Sequence, residues 1–173
     1  ELIDKCHGVG MLDIIGEEDV ATHAGKPIIG GGFAVMKNDA EDRMISAPMG
    51  TNCLCSRQLL PRPRFAYVPA LRLMTLKQNE KLRLTKRDAR HYFHQLRLGA
   101  GWRRYLTTPA LRRSLGKKKL FGAYRTTPMG FSPAAGFAQA LTDTVTGRAK
   151  LPPSQRLIMD KLPPRKFPVW GSI

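Results

Sequence analysis

Apolar and polar residues alternate along several short stretches of this chain, and a period of two residues is typical of β-strands. Residues 33–36 and 43–45 form two short, mainly apolar stretches on either side of a polar turn, so they predict the two strands of a hairpin. The alternation over residues 82–87 predicts a strand that ends at Asp88, and residues 120–127 predict a further strand. With the helices described next, these strands favour an α+β fold.

A helix is predicted shortly after the last of these strands. Ser132 and Pro133 have the residue types that favour an N-cap and a first helical position. Residues 134–146 continue with apolar side chains at helical spacing, and Gly147 is a typical stop signal. A second, short helix is expected within residues 68–81, after a segment rich in proline and arginine.

The remaining segments differ in composition. Residues 1–29 are mixed and acidic, and we expect them to form an upstream linker or the edge of a preceding domain. Residues 96–106 suggest more strand, turned at the glycines of residues 99–101. The tail, residues 151–173, is rich in proline and predicts a connecting loop that ends in a strand at 167–173.

Three general features narrow the class of protein. No run of about 18 apolar residues occurs, so no transmembrane helix is predicted and no membrane partner is expected. The chain begins with neither a methionine nor a signal-peptide pattern, and we interpret it as an excerpt of a longer intracellular polypeptide. The three cysteines are an odd number without secretory context, which argues against a disulfide framework.

The net charge of +16 is concentrated in the middle of the chain. Residues 57–125 carry 19 basic and 2 acidic groups, whereas residues 1–56 carry 4 basic and 9 acidic groups. A strongly basic segment is the electrostatic signature of a nucleic-acid binder, whose affinity depends mainly on phosphates and falls with salt. A solvated basic face or a localisation patch is the alternative.

Asp88 is the only acid between Glu80 and Asp143, and it is surrounded by Lys86, Arg87 and Arg90. Nearby cations favour the charged form of a carboxyl group, so this carboxylate should stay ionised. An ionised carboxylate at the end of a strand suits a hard cation such as Mg²⁺. The alternative is a surface aspartate that its neighbouring arginines neutralise.

Two blocks of sequence, taken together, resemble the palm of reverse transcriptases from retroelements. The first runs from Asp88 through Phe93 to His94 and Gln95 and looks like the family's Asp-x-x-x-x-aromatic-His-Gln block. The second is Pro128-Met129-Gly130, which looks like the Pro-x-Gly block and is followed by Gln139 nine residues after the glycine. The blocks occur in the family's order, and the resemblance covers roughly residues 31–173.

The resemblance implies an incomplete right-hand polymerase fold. Residues 30–81 would contain the fingers-like region with its hairpin, and residues 82–173 would contain a partial palm with a sheet and a helix. The implied activity is RNA-directed DNA synthesis with two Mg²⁺ ions. The implied partners are an RNA or DNA template-primer, a deoxynucleoside triphosphate and the rest of a larger polyprotein.

The resemblance also implies a role for individual side chains. Asp88 would bind metal as the catalytic carboxylate, and Lys37 and Arg43 would hold the incoming triphosphate. The ring of Phe93 would leave no room for a 2′-hydroxyl on the sugar. The remaining members of the implied nucleotide pocket are Met129, Gly130 and Gln139.

The sequence departs from the family at two places. Ala47 stands where an acid is expected after the hairpin, with Asn52 following, and no adjacent pair of aspartates occurs in the 173 residues. One carboxylate cannot hold two divalent ions, so we expect no polymerisation by this chain alone. The rival hypothesis is a degenerate basic remnant that binds nucleic acid without catalysis.

Overall fold

A computed structural model describes most of the chain, namely residues 2–56, 63–66, 68–83, 85–86, 88–115, 118–151 and 153–157. The fold is α+β and consists of short helices and small antiparallel sheets. The chain forms two compact units, one made of Glu1–Leu59 and His91–Ala134, the other of Leu60–Arg90 and Ala135–Ile173. The boundaries of these units differ from the boundaries expected at residues 30 and 82. The expected division into a fingers-like and a palm-like region stays a prediction.

The described residues form seven strands and five α-helices. The strands are β1 (Leu12–Gly16), β2 (Thr22–His23), β3 (Lys26–Pro27), β4 (Gly31–Asn38), β5 (Glu41–Ala47), β6 (Thr107–Leu115) and β7 (Lys118–Tyr124). The α-helices are α1 (Leu2–Gly8), α2 (Met49–Leu54), α3 (Tyr92–Gln95), α4 (Ala100–Arg103) and α5 (Ala134–Arg148), and three 3₁₀ turns span Glu17–Asp19, Val68–Leu73 and Pro153–Gln155. Among these described helices, none is both long and apolar enough to cross a membrane.

A three-stranded antiparallel sheet in the order β1-β7-β6 forms the core of the first unit. Leu12 pairs with Tyr124 at one end of the β1–β7 ladder, so part of the segment expected to be a linker belongs to this sheet. Leu12, Leu106 and Phe121 are almost completely buried. Burial of each such side chain stabilises the fold by about 1.5–3 kcal/mol. The strand predicted over residues 120–127 is therefore confirmed as β7, although it begins and ends somewhat earlier.

The predicted hairpin is also confirmed. β4 and β5 pair antiparallel from Gly31 opposite Ala47 outward, and they form a two-stranded ribbon. Every residue of β4 is exposed, including Phe33 at 55% and Met36 at 73%. Isolated two-stranded ribbons are marginally stable, so the contacts at the base of this ribbon determine where it lies.

The strand predicted before Asp88 is wrong. Of residues 82–87, the structure describes all but two, and those described lie in no strand. A strand needs a partner for its backbone hydrogen bonds, and no described strand pairs with this segment. Leu82 is 45% exposed, so the apolar alternation does not reflect a buried face. Leu84 and Arg87 lie outside the described residues.

One further expectation fails for a local reason, and another is met in part. Residues 96–106 form helix α4 and a single bridge between Arg97 and Thr126 instead of more strand. The amide of Trp102 donates to the carbonyl of Gly99, which closes a helical turn where a strand turn was expected. The short helix expected within residues 68–81 forms as a 3₁₀ helix at Val68–Leu73, in the first part of that range. The strand predicted at 167–173 falls outside the described residues.

The helix predicted after the last strand is confirmed as α5. It runs through Gly147 to Arg148, so the predicted stop is one residue early. The hydroxyls of Thr142, Thr144 and Thr146 each donate to the carbonyl four residues earlier, so these polar side chains are satisfied by the helix itself.

Candidate functional site

The β4–β5 ribbon carries the two cations that the sequence assigns to a triphosphate. Arg43 is paired with Val35 in the β4–β5 ladder. An irregularity between Met36 and Asn38 leaves the backbone of Lys37 with no residue directly opposite it in the ladder. The ammonium of Lys37 forms an ion pair with Glu41. Since Glu41 is two residues from Arg43, their side chains share a face of the ribbon, and Lys37 is paired with Glu41. Both cations are exposed.

The Pro-x-Gly turn lies against the outer edge of β5. The amide of Ser46 donates to the carbonyl of Met129 at 2.9 Å. Gly130 has φ +99°, a conformation that L-residues rarely adopt, and a Cβ there would overlap the carbonyl oxygen of Ser46. Only glycine therefore allows this turn to approach the strand so closely. Met129 is half-buried and Gly130 is exposed.

The side-chain amide of Asn52, on α2, bridges the same turn. Its Nδ2 donates to the carbonyl of Gly130 at 2.9 Å, and its Oδ1 accepts from the amide of Ser132 at 2.9 Å. One side chain therefore satisfies both the carbonyl of Gly130 and the amide of Ser132. The turn is thereby held on one side by β5 and on the other by α2.

The connection from β5 to α2 is itself fixed at two points. The buried hydroxyls of Ser46 and Tyr124 share a hydrogen bond of 2.6 Å, which joins β5 to the central sheet. Burial raises the pKa of Tyr124 above its ordinary value, so this phenol stays protonated and can donate. The hydroxyl of the buried Thr51 donates to the carbonyl of Tyr105, which anchors α2 to the loop after α4.

Phe93 lies on the short helix α3 and is half-buried. Its ring centroid is 6.4 Å from that of Tyr92. The chain after α3 is joined to the residue before the Pro-x-Gly turn, because the amide and the hydroxyl of Thr127 both donate to the carbonyl of Leu96, at 2.8 and 3.1 Å. The structure thus connects the element that carries Phe93 to the turn within the first unit.

A partly buried histidine neighbours Phe93. Burial lowers the pKa of His94 below its ordinary value, and the charge of His91 lowers it further. The Nδ1 of His94 has no hydrogen-bond partner among the described residues. His91 has φ +51° at the start of α3.

The other two predicted site residues belong to the second unit. Asp88 is exposed and lies outside any helix or strand. Gln139 is only 7% exposed, and its amide is engaged by the backbone of Arg64: Nε2 donates to the Arg64 carbonyl at 2.7 Å, and Oε1 accepts from the Arg64 amide. Within this unit, Gln139 therefore contacts protein backbone through both ends of its amide.

The donor set does not fit a two-ion magnesium site. Asp88 supplies one carboxylate, and the part of the chain that the structure describes contains no group of three or more potential metal-ligating side chains. Asp13 is occupied by Arg103 and Arg125, at 3.0 and 3.4 Å. A site for two Mg²⁺ ions needs carboxylates beyond those described.

The acidic N-terminal segment partly neutralises the basic middle of the chain. Glu18 pairs with Lys118 at 2.8 Å and Glu17 with Lys119 at 3.8 Å. The hydrogen bond from Lys118 lowers the pKa of Glu18. Exposed pairs of this kind contribute little to stability, and they exchange readily for other ions. Arg97 and Arg104 remain exposed in the same unit.

A shallow groove of about 420 Å³ lies elsewhere in the first unit. It is bordered by β3 and α2, and its lining residues are His23, Lys26, Pro27, Ile28, Ile29, Gly50, Cys53 and Leu54. None of the residues that the sequence assigns to a nucleotide site lines it. We therefore locate the candidate site at the hairpin and the Pro-x-Gly turn instead of at this groove.

A scan of protein-family models finds no match to this chain, and a search of curated proteins finds none either. The resemblance to reverse transcriptases therefore rests on the residues themselves.

Sequence reasoning missed the contacts that hold these elements together. It noted Asn52 only as a residue expected after the hairpin, and it assigned no role to Ser46 or Tyr124. The partners of these polar side chains are 78 or more residues away in the chain, and no local pattern encodes such a pairing. The phenol of Tyr124, at the end of the apolar stretch of β7, was the one available signal, because a buried hydroxyl needs a hydrogen-bond partner.

Proposed function

We propose that this chain supplies part of a reverse transcriptase-like polymerase domain that binds template-primer and a deoxynucleoside triphosphate. The observation that carries the proposal is the hydrogen bond between the amide of Ser46 and the carbonyl of Met129. The resemblance requires the fingers hairpin and the Pro-x-Gly turn to be neighbours. They are separated by more than 80 residues in sequence, so their contact is independent of the motifs that suggested it.

The charges of the hairpin support a polyphosphate ligand. Arg43 can grip a phosphate with two parallel N–H groups, and Lys37 adds a point charge on the same face. The ion pair between Lys37 and Glu41 is exposed, so it costs little to replace Glu41 by a phosphate. The exposed backbone of Gly130 offers a close approach for the base or sugar of the same ligand.

The residues that would act on the nucleotide are assigned by the resemblance. Lys37 and Arg43 would orient the triphosphate, Phe93 would limit the sugar to its deoxy form, and Met129 with Gly130 would shape the pocket. Magnesium, when bound, would neutralise the phosphate charge, and Asp88 would supply one ligand.

The proposal includes no polymerisation by this chain alone. Phosphoryl transfer by a polymerase uses a pair of metal ions, and a single exposed carboxylate does not supply the ligands for a pair. Nucleotide binding through Lys37 and Arg43, by contrast, depends on the hairpin and the turn only. Binding is therefore the property to test.

The test compares two double variants of equal charge. Lys37→Ala with Arg43→Ala removes the hairpin cations, and Lys26→Ala with Arg104→Ala removes two exposed cations of the same unit. Fluorescence anisotropy with a labelled deoxynucleoside triphosphate should give at least about a tenfold loss of affinity for the hairpin pair, since each charge-assisted hydrogen bond contributes about 1.5–3 kcal/mol. Equal losses in both variants would overturn the proposal, because net charge alone would then explain binding.

The second candidate function is a basic module that binds nucleic acid without a nucleotide site. The burial of Gln139 against Arg64 favours it, because this amide then serves the fold. Under this alternative the chain binds a nucleic-acid duplex with a steep salt dependence and shows no saturable affinity for deoxynucleoside triphosphates. The same titration therefore separates the two functions.

A further inference from the structure

We propose that Asn52 is a positioning residue that holds the Pro-x-Gly turn in its ligand-binding conformation, an inference that rests on the proposed function. The side-chain amide forms two hydrogen bonds of 2.9 Å with the turn, to the carbonyl of Gly130 and from the amide of Ser132. Both bonds are satisfied in only one orientation of the amide, because a rotated amide would place its donor against a donor. One side chain thus fixes three consecutive residues of backbone.

The turn depends on this support because glycine is conformationally free. Gly130 has φ +99°, a region that glycine enters and leaves without a side-chain penalty, so hydrogen bonds must hold the turn in one conformation. The amide of Ser46 fixes the carbonyl of Met129 from the side of β5. Asn52 fixes the next two peptide groups from the side of α2, so the exposed edge of Gly130 is left with little freedom.

Asn52 can be changed without detaching α2. The hydroxyl of Thr51 anchors this helix to the carbonyl of Tyr105, and Thr51 is buried. The loss of the Asn52 amide should therefore loosen the turn while the helix and the sheet remain. In this proposal, Asn52 acts on the nucleotide indirectly. It holds the backbone of Gly130, and that backbone contacts the ligand.

The hydrogen-bond pattern distinguishes three substitutions. Asn52→Asp keeps the acceptor for Ser132 but replaces the donor to Gly130 by a charged oxygen, which faces a carbonyl. Asn52→Ala removes both bonds. Asn79→Asp makes the same chemical change at an exposed turn of the second unit and serves as the control.

The experiment measures three properties of each purified variant. The first is the affinity for a fluorescent deoxynucleoside triphosphate, and the second is the affinity for a labelled primer-template. The third is hydrogen exchange in the peptide that contains Ser132, together with the unfolding temperature as a check of the fold. A purely structural loss would lower both affinities together, whereas a positioning role lowers the nucleotide affinity alone.

Both Asn52 variants should bind the nucleotide about tenfold more weakly, which corresponds to one or two net hydrogen bonds. Their primer-template affinity should stay within about twofold of the parent, as expected for changes that leave a binding surface intact. Exchange at Ser132 should become faster, and Asn79→Asp should resemble the parent throughout.

Equal losses of both affinities would indicate a purely structural role and would overturn the inference. Three further outcomes would also overturn it. Folded variants with parental nucleotide affinity would show that the amide does not position the site, whatever the exchange at Ser132. Unfolding of both variants would make Asn52 a determinant of the fold and not of the site. A parent that binds no nucleotide at all would remove the proposed function and this inference with it, which distinguishes that failure from the other two.

Discussion

Gly130 lets the Pro-x-Gly turn approach β5 closely, because its φ is +99° and a Cβ there would overlap the carbonyl oxygen of Ser46. The Pro-x-Gly block predicted the turn, and the ligand expected beside it stays a prediction. The spacing of Lys37 and Arg43 likewise predicted two cations on one hairpin. Asn52, Ser46 and Gln139 have partners that no local pattern specifies, so their contacts could not be predicted.

Substitution of Gly130 by alanine should destabilise the first unit. The Cβ would overlap the carbonyl oxygen of Ser46, and the positive φ would be strained for alanine. Strain of this kind costs about 1–3 kcal/mol, and the overlap adds to it. The measurement is urea unfolding followed by tryptophan fluorescence. Gly101→Ala is the control, because a Cβ on this helical residue meets nothing within 4 Å, and a similar loss there would contradict the account.

His94 should make the stability of the first unit depend on pH. Burial lowers its pKa in the folded state below the ordinary value of 6.5, so the unfolded chain binds a proton more readily. The free energy of unfolding should therefore fall as the pH decreases through the unfolded pKa, until the folded pKa is passed as well. Above the unfolded pKa both states hold a neutral imidazole and this contribution is constant.

The check compares urea unfolding at about pH 7.5 and about pH 5.5, on either side of the unfolded pKa. His94→Gln should lose less stability on acidification than the parent, because its amide does not titrate. His23→Gln, at an exposed position, should lose as much free energy of unfolding as the parent when the pH is lowered. An unchanged pH dependence in His94→Gln would show that this imidazole is not the titrating group.

At the level of elements, local patterns predicted those that depend on local contacts. Helix α5 follows from its apolar spacing and its start signals, and the β4–β5 hairpin follows from two apolar stretches and the polar turn between them. The strand expected before Asp88 fails because a strand also needs a partner, and pattern alone does not supply one. The pairing of β1 with β7 was missed for the same reason, since it joins residues more than 100 positions apart.

The hydrogen bond between Ser46 and Tyr124 should couple the ribbon to the central sheet. Both hydroxyls are buried, so Ser46→Ala or Tyr124→Phe alone leaves a polar group without its partner and should cost about 1–3 kcal/mol. The double variant should cost less than the sum, since it removes both partners. A double-mutant cycle by urea unfolding measures this difference. Additive losses would mean that the 2.6 Å contact contributes nothing in solution.

For the whole molecule, the distribution of charge along the chain could be predicted from the sequence. The ion pairs between distant residues and the division into two units could not. The basic middle of the chain is evident from composition, and it favours nucleic acid as a partner. Composition did not reveal that Glu17 and Glu18 pair with the lysines of β7 or that Asp13 lies between two arginines. It also did not reveal that the chain divides into two units, with Asp88 and Gln139 in one and the hairpin and turn in the other.

The central claim is that the hairpin and the Pro-x-Gly turn together form one nucleotide site. The direct measurement is photocrosslinking with an azido-deoxynucleoside triphosphate, followed by peptide mapping with and without excess unlabelled nucleotide. The account predicts label on β4–β5 and on the peptide that contains Met129 and Gly130, and loss of that label under competition. Label spread over other basic segments, unaffected by competitor, would contradict it.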